Sequence, residues 1–450
     1  MKPYEYFSIR GVIEGFYGTP WAHAERIDMI AFLKRHGFNA YFYSPKDDPY
    51  LRERWQEPHP ERALTDIADL IRESREQGVD FIYCLSPGLN MEYSSTSHFD
   101  RMMDKYRQMY EQGVRKFGLL FDDIPQQLLH AEDRVRFAHL AEAHAATTLK
   151  AWEVLQGWGE EVSLIICPTV YNGLGNEPYI TYLGRQLPPE IHLFWTGRFV
   201  CSPFLTEGDA VRFYEYTGHR PLYWDNYPVN DLAMANELHI GPLLHRDRHL
   251  YQHAAGYVAN AMEYVESSKI PLITIADYLR DPEGYDPVAS WQKAVEEVAG
   301  TADSPHFLRF ADNVQSSFLN EQESPQLLEA FQEFRFHFLH GNQRKAVSQL
   351  KSLFTEMEQT AGYLMTRMKN RKLAAEIRGW LEKYLLWAKV GQSAASLIEE
   401  GVRGRTAQAV FHLIRLKQLL KRTERLPQKV CGNVMKLFVD AVLQEVQKAR

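Results

Sequence analysis

The chain has 450 residues, enough for two or three domains, and its 45% hydrophobic and 24% charged content matches a globular protein able to bury a sizeable core. A formal net charge of −7 supplies no basic footprint for nucleic acid or for an anionic membrane. The N-terminal stretch MKPYEYFSIRGVIEGF lacks the apolar region of a signal peptide, and no segment approaches eighteen uninterrupted apolar residues, so the sequence reads as soluble and cytoplasmic.

The pattern that recurs along the chain is a short apolar run, a polar loop, then a longer segment of helical periodicity. The runs are 6–16, 38–45, 80–88, 116–123, 163–171, 191–197, 221–228 and 256–262. Runs apolar on both alternating faces suit parallel strands covered by helices. Between them, segments such as 21–37 and 66–78 space apolar residues three and four apart and end in Gly, as helices do. Eight such units predict a (β/α)₈ barrel over residues 1–299, with an open doubly wound sheet as the alternative. Cys84, Cys167, Cys201 and Cys431 are far apart in sequence, and the first two lie inside apolar runs. With no CxxC pair, all four read as reduced thiols.

Beyond 295–305 no strand-like run of similar strength follows. The segments 326–341, 346–368, 372–400, 405–422 and 430–449 read as amphipathic helices, which predicts an α-helical bundle domain over 300–450. Their apolar stripes can serve the bundle's own core or meet a second subunit in a homodimer.

The barrel reading directs attention to strand C-termini, where its chemistry would sit. The run KFGLLFDD ends in two adjacent carboxylates, Asp122 and Asp123. One Asp in such a place often caps the following helix. A hard divalent cation is a second reading, with Asp47, Asp48, Asp225 and Asp231 as further oxygen donors. A catalytic pair is the third, and neighbours in one segment cannot easily flank both faces of a sugar ring as the two carboxyls of ordinary glycosidases do. A glycosidase built on them would use the substrate's own 2-acetamido oxygen as nucleophile. One Asp would hold the acetamide N–H, while the other, kept protonated by its neighbour, would donate to the leaving oxygen.

The blocks GVIEGFYGTPW (11–21), YSPKDDPY (43–50), LLFDDI (119–124), PTVY (168–171), WTG (195–197), WDNYPVND (224–231) and VAN (258–260) resemble, in that order, the signature of glycoside hydrolase family 84. This is the O-GlcNAcase and bacterial β-N-acetylglucosaminidase family, also described as hyaluronidase-like. The resemblance covers roughly residues 8–285. It implies a retaining exo-β-N-acetylglucosaminidase that removes terminal β-linked GlcNAc through an oxazoline, with no cofactor and no metal. By the same resemblance Asp122 would orient the acetamide, and Asp123 would be general acid and then base. Tyr171 and Asn226 would lie on the acetamide and reaction-centre side. Gly15, Lys46, Asp231 and Asn260 would hold sugar hydroxyls, with Tyr17 and Trp224 as pocket walls. A β-linked N-acetylglucosaminide on glycoprotein or oligosaccharide would be the partner, with no nucleic acid and no membrane.

A non-catalytic glycan-binding protein on the same barrel and an endo-acting hydrolase stand as the other functional readings. His245, His249 and His253 follow one another at helical spacing, but without a Cys or carboxylate pattern beside them they are not taken as a metal site. The HRD at 245–247 resembles a kinase catalytic loop, yet no Gly-rich loop or DFG accompanies it.

Overall fold

A computed structural model describes residues 6–448. Residues 1–5 and 449–450, on which the start of the leader reading and the end of the last expected helix fall, lie outside the described residues. Each apolar run contains one strand: β1 (Ile9–Ile13), β2 (Ala40–Tyr43), β3 (Asp80–Leu85), β4 (Lys116–Leu120), β5 (Ser163–Cys167), β6 (His192–Trp195), β7 (Pro221–Asp225) and β8 (Gly256–Asn260). Neighbours pair in parallel and in chain order, and β8 returns to β1 with Asn260 opposite Ile13. The sheet is therefore the expected closed barrel, and the open doubly wound alternative is excluded.

Alternate residues of each strand face the barrel interior, where Ile13, Phe42, Ile82, Leu120, Ile165, Phe194, Trp224 and Val258 form one buried cluster together with Cys84 and Cys167. The same period carries past the strand ends. Ile13 is followed two residues on by Gly15, Leu120 by Asp122, Trp224 by Asn226 and Val258 by Asn260. Polar groups thus take over the inward face where the apolar layers stop.

The outward strand positions are buried as well, and many are tyrosines whose hydroxyls find partners. Tyr41 donates to Glu14 at 2.8 Å, Tyr83 meets His59 Nε2 at 2.7 Å, and Tyr257 donates to Asp225. An aromatic ring with a polar tip can be buried in this way because its hydroxyl finds a partner. The helices expected at 21–37 and 66–78 are His23–Arg35 and Glu61–Gln77, the second ending at Gly78 in the left-handed conformation. Between β7 and β8 there is no α-helix, only the 3₁₀ turns Leu232–Met234 and Leu250–Gln252. The helical spacing of His245, His249 and His253 is therefore not realised as a helix. All four cysteines are free thiols. Among the described residues no helix is long and apolar enough to cross a membrane.

Contacts divide the chain into two compact units. One holds the described residues up to Asp231 with Leu243–Val265 and Leu272–Pro287, and the other holds Leu232–Pro242, Glu266–Pro271 and the described residues from Val288 on. The second is helical, with Gln343–Thr366, Arg378–Val402 and Thr406–Thr423 as its longest elements. The expected helix 372–400 is broken at Ile377 into Arg371–Glu376 and Arg378–Val402. Leu350, Phe354, Met357, Ala361 and Leu364 recur at alternating steps of four and three, and Tyr384, Ala388, Gly391 and Ala395 do so on the facing helix.

Gly391 sits where a Cβ would come 2.2 Å from the Phe354 ring. Ala is ordinarily the better helix former by about 1 kcal/mol. Here Gly391→Ala should instead lower stability by about 1–3 kcal/mol through overpacking, measured by denaturant unfolding. A gain in stability would show that the two helices separate freely.

Two buried histidines give the barrel a pH dependence. His144 lies between the hydroxyls of Tyr179 (2.6 Å) and Tyr93 (2.7 Å) and stacks on Phe121, and burial lowers its pKa to about 3. His59 is lowered to about 3 by burial and by Lys105. Below the unfolded-state value of about 6.5 the unfolded chain binds more protons than the fold, so stability falls as pH drops from there toward 3. Each histidine should contribute a slope of up to about 1.4 kcal/mol per pH unit. His144→Asn should flatten that dependence in unfolding curves, and an unchanged slope would refute the assignment.

Candidate active site

Asp122 continues the inward face of β4, and its side chain is almost fully buried. An isolated carboxylate could not remain charged there. The ammonium of Lys46, equally buried, donates to Asp122 Oδ2 and lies 3.9 Å from Asp123. Lys46 itself sits 5.7 Å from the ring centroid of Tyr17 and 5.6 Å from that of Trp224, so two aromatic faces flank the cation. The second oxygen of Asp122, Oδ1, is buried without a hydrogen-bond partner and is an unused acceptor.

Adjacent residues of a strand point to opposite faces, yet Asp123 joins the same mouth. Its φ of 54° breaks the alternation. The turned carboxylate accepts from Tyr17 Oη at 2.8 Å and from Tyr171 Oη at 2.9 Å. Burial pushes its pKa up, but Lys46, the two phenols and Arg52 outweigh that and hold Asp123 below the ordinary carboxylate value. The expectation that Asp122 keeps its neighbour protonated is therefore not met, because Lys46 supplies the positive charge that such mutual repulsion would lack. The phenols respond in the opposite sense. Burial and the Asp123 charge push both tyrosines up, so they stay protonated donors.

The remaining expected residues form a second chain of contacts. Asn260 Oδ1 accepts from the Gly15 N–H at 3.2 Å, and Asn260 Nδ2 donates to Asn226 Oδ1 at 2.9 Å. That oxygen also accepts from Trp224 Nε1 at 2.9 Å, while Asn226 Nδ2 donates to the Val200 carbonyl at 2.8 Å. A Cβ on Gly15 would come 2.6 Å from the Trp224 ring, so the backbone can lie against the indole only with no side chain there. Asp231 accepts from the Tyr17 N–H at 2.8 Å and thereby fixes the loop that carries the phenol. Burial raises the Asp231 pKa, against the opposing effects of that N–H and of Lys46.

Every residue expected in the site thus belongs to one of these two networks, and Lys46 touches both through Trp224. Trp195 and the other acids differ. Trp195 is turned outward against Phe213, Asp48 caps the turn at Tyr50, and Asp225 is bound by Arg246 and Tyr257. Two of the four acids named as further cation ligands, Asp48 and Asp225, are therefore engaged elsewhere.

Three contributors were not anticipated. Glu14, fully buried, takes a paired contact from Arg26 at 2.7 and 2.8 Å and accepts from the Trp21 N–H, which ties down the loop containing Gly15 and Tyr17. A charged residue inside the run GVIEGF was its signal. Arg52 lies 5.9 Å from the Tyr17 ring centroid. The Val200 carbonyl, a backbone group, carries no signal in residue type.

The family model described as β-N-acetylglucosaminidase matches residues 10–312. The chain belongs to the β-N-acetylglucosaminidase family. The resemblance to glycoside hydrolase family 84 is thereby borne out, and a model described as hyaluronidase post-catalytic domain-like matches residues 329–439. Protein O-GlcNAcase of Rattus norvegicus and that of Mus musculus are each 31% identical over 276 residues, 60% of this chain and 30% of the relative. The chain thus spans less than a third of the length of these curated relatives. The solved structure of a single-site variant of the Thermobaculum terrenum O-GlcNAc hydrolase is 36% identical, has a TM-score of 0.94, and is matched over 98% of this chain and 95% of that one.

The environment of Asp123 yields a test. Each phenol stabilises the charged form, so Tyr17→Phe and Tyr171→Phe should each move the Asp123 titration to higher pH, and the double variant further. The readout is the infrared carboxylate band lost in Asp123→Asn. A shift to lower pH, or none, would contradict the hydrogen-bonded arrangement.

Proposed function

We propose that this protein is a retaining exo-β-N-acetylglucosaminidase that works by substrate assistance. The observation that carries the reading is the unequal treatment of two adjacent carboxylates: Asp122 is buried on Lys46 with an acceptor to spare, and Asp123 faces two phenols and is partly open to water. Membership of the β-N-acetylglucosaminidase family supports the same substrate class.

In this mechanism Asp122 accepts the acetamide N–H of a terminal GlcNAc and turns the acetamide oxygen toward C1. The bond from that oxygen to C1 forms as the bond from C1 to the aglycone oxygen breaks, and Asp123 transfers its proton to the departing oxygen. Asp122 offsets the positive charge of the resulting oxazolinium ring. Water then attacks C1, its proton passes to Asp123, and the oxazoline oxygen leaves C1 to restore the acetamide. Two inversions at C1 give net retention. Asp123 must carry a proton at the first step although the free site favours its anion. A bound sugar removes it from water, and burial is the largest influence raising its pKa. Tyr171 and Asn226 lie on the acetamide side in this reading, while Gly15, Lys46, Asp231 and Asn260 meet sugar hydroxyls between the walls of Tyr17 and Trp224. The mechanism employs no cofactor.

Leaving-group dependence separates the two acids. Asp123→Asn should slow alkyl and sugar aglycones by about 10²- to 10⁴-fold while largely sparing a highly acidic phenol. Asp122→Asn should slow good and poor leaving groups by similar factors. The plot of kcat/KM against leaving-group pKa should steepen for Asp123→Asn and shift down in parallel for Asp122→Asn; the reverse pattern would exchange their roles.

The nucleophile is tested through the substrate. Stepwise fluorination of the acetyl methyl group weakens the acetamide oxygen and should slow turnover progressively. A flat series with chemistry rate-limiting would eliminate substrate assistance. An end-labelled oligosaccharide should release the monosaccharide alone, and internal fragments would indicate endo action.

A further inference from the structure

His249 and His253 of the β7–β8 connection, which lie on no α-helix, are brought beside a carboxylate from another segment, Glu207. Leu205 and Arg246 form an isolated parallel bridge, in which Leu205 N–H donates to His245 C=O at 3.0 Å and Asp247 N–H donates to Leu205 C=O at 2.9 Å. This sets Asp247 beside Glu207, the first residue of the helix Glu207–Thr217. The carboxylate of Asp247 accepts from the His249 N–H at 2.9 Å through Oδ1 and from the Glu207 N–H at 3.4 Å through Oδ2. Ligand atoms of Glu207, Asp247 and His249 all lie within 4.8 Å of one another. His249 Nδ1 is 4.0 Å from Glu207 Oε2, and His253 Nε2 holds the other oxygen, Oε1, at 3.1 Å.

The geometry points to a structural divalent-metal site with Glu207, Asp247 and His249 as ligands and His253 orienting Glu207. Tetrahedral coordination at about 2.1 Å separates ligands by about 3.4 Å. The side chains of Glu207 and His249 are each more than a third exposed, so modest rotations close the remaining gap while the backbone bonds hold their Cα positions. One imidazole with two carboxylates suits a borderline ion such as Zn²⁺ better than Mg²⁺ or Ca²⁺, which take oxygen ligands alone. Each oxygen of Asp247 already accepts one N–H and keeps a lone pair for the ion. The hydrogen bond from His253 is the kind of outer contact that fixes a ligand's direction.

The ion would clip the start of the helix to the segment that contains Arg246. Arg246 in turn pairs with Asp225 at 2.7 and 2.8 Å and donates to the carbonyls of Ser202 and Pro203. Among the described residues, none of the hydrogen bonds or ion pairs of Glu207, Asp247 and His249 reaches Asp122 or Asp123, so the ion serves the fold and takes no part in turnover.

The test uses the full chain, stripped with a chelator and titrated calorimetrically with Zn²⁺. One equivalent should bind, raise the unfolding temperature, and leave turnover of an aryl β-N-acetylglucosaminide unchanged. His249→Ala and Glu207→Gln should each abolish that equivalent, and His253→Ala should weaken it by about 10- to 100-fold. His23→Ala, which removes a surface histidine near Asp69, should have no effect. Failure of Zn²⁺ to bind stoichiometrically, or binding that survives both His249→Ala and Glu207→Gln in folded protein, would overturn the proposal. So would equal weakening by His23→Ala, which would mark general surface binding.

Discussion

Two carboxylates placed side by side at the end of a buried strand need a positive charge, and the rest of the site is arranged around the one that Lys46 supplies. The ion pair is out of water, and in that setting loss of one partner typically costs about 3–5 kcal/mol because the other is left charged and alone. The aromatic faces of Tyr17 and Trp224 on the ammonium make Lys46 the common contact of both networks. Two acids that differ by one position in sequence thereby acquire different chemistry. Asp122 is shut in and held, whereas Asp123 stays near solvent and answers to hydroxyl groups.

The barrel scaffold supplies these positions through a simple rule. Strand residues that face inward fill the barrel with Phe42, Phe194 and their neighbours, and the next inward positions at the C-terminal rim become polar. Gly15, Asp122, Asn226 and Asn260 all obey this count. Their placement was legible because the apolar runs fixed where each strand stops, and the period of two did the rest.

What the sequence did not disclose is of three kinds. Backbone groups such as the Val200 carbonyl have no letter of their own. Charges supplied by another segment, as Lys46 and Arg52 are to Asp123, decide a proton's place but become neighbours only in three dimensions, so the expectation of a protonated Asp123 rested on Asp122 alone and reversed. Periodicity can also mislead: the i, i+4, i+8 histidines look helical, yet their segment runs as turns and pairs with the chain around Leu205. The long helices of the second unit were easier, since steps of three and four along 343–366 leave little else for the chain to do, and only the break at Ile377 was hidden.

The left-handed backbone at residue 123 narrows which acid can serve there. A positive φ near 54° is uncomfortable for most L residues, whereas Asp and Asn tolerate it through local bonding of a short polar side chain. Glu lacks that advantage and would also carry its carboxyl one methylene further from Tyr17 and Tyr171. Gly would satisfy the turn but bring no carboxyl. The bend that delivers a second carboxylate to the mouth therefore also selects aspartate over glutamate, so the choice of acid is made by the path of the main chain.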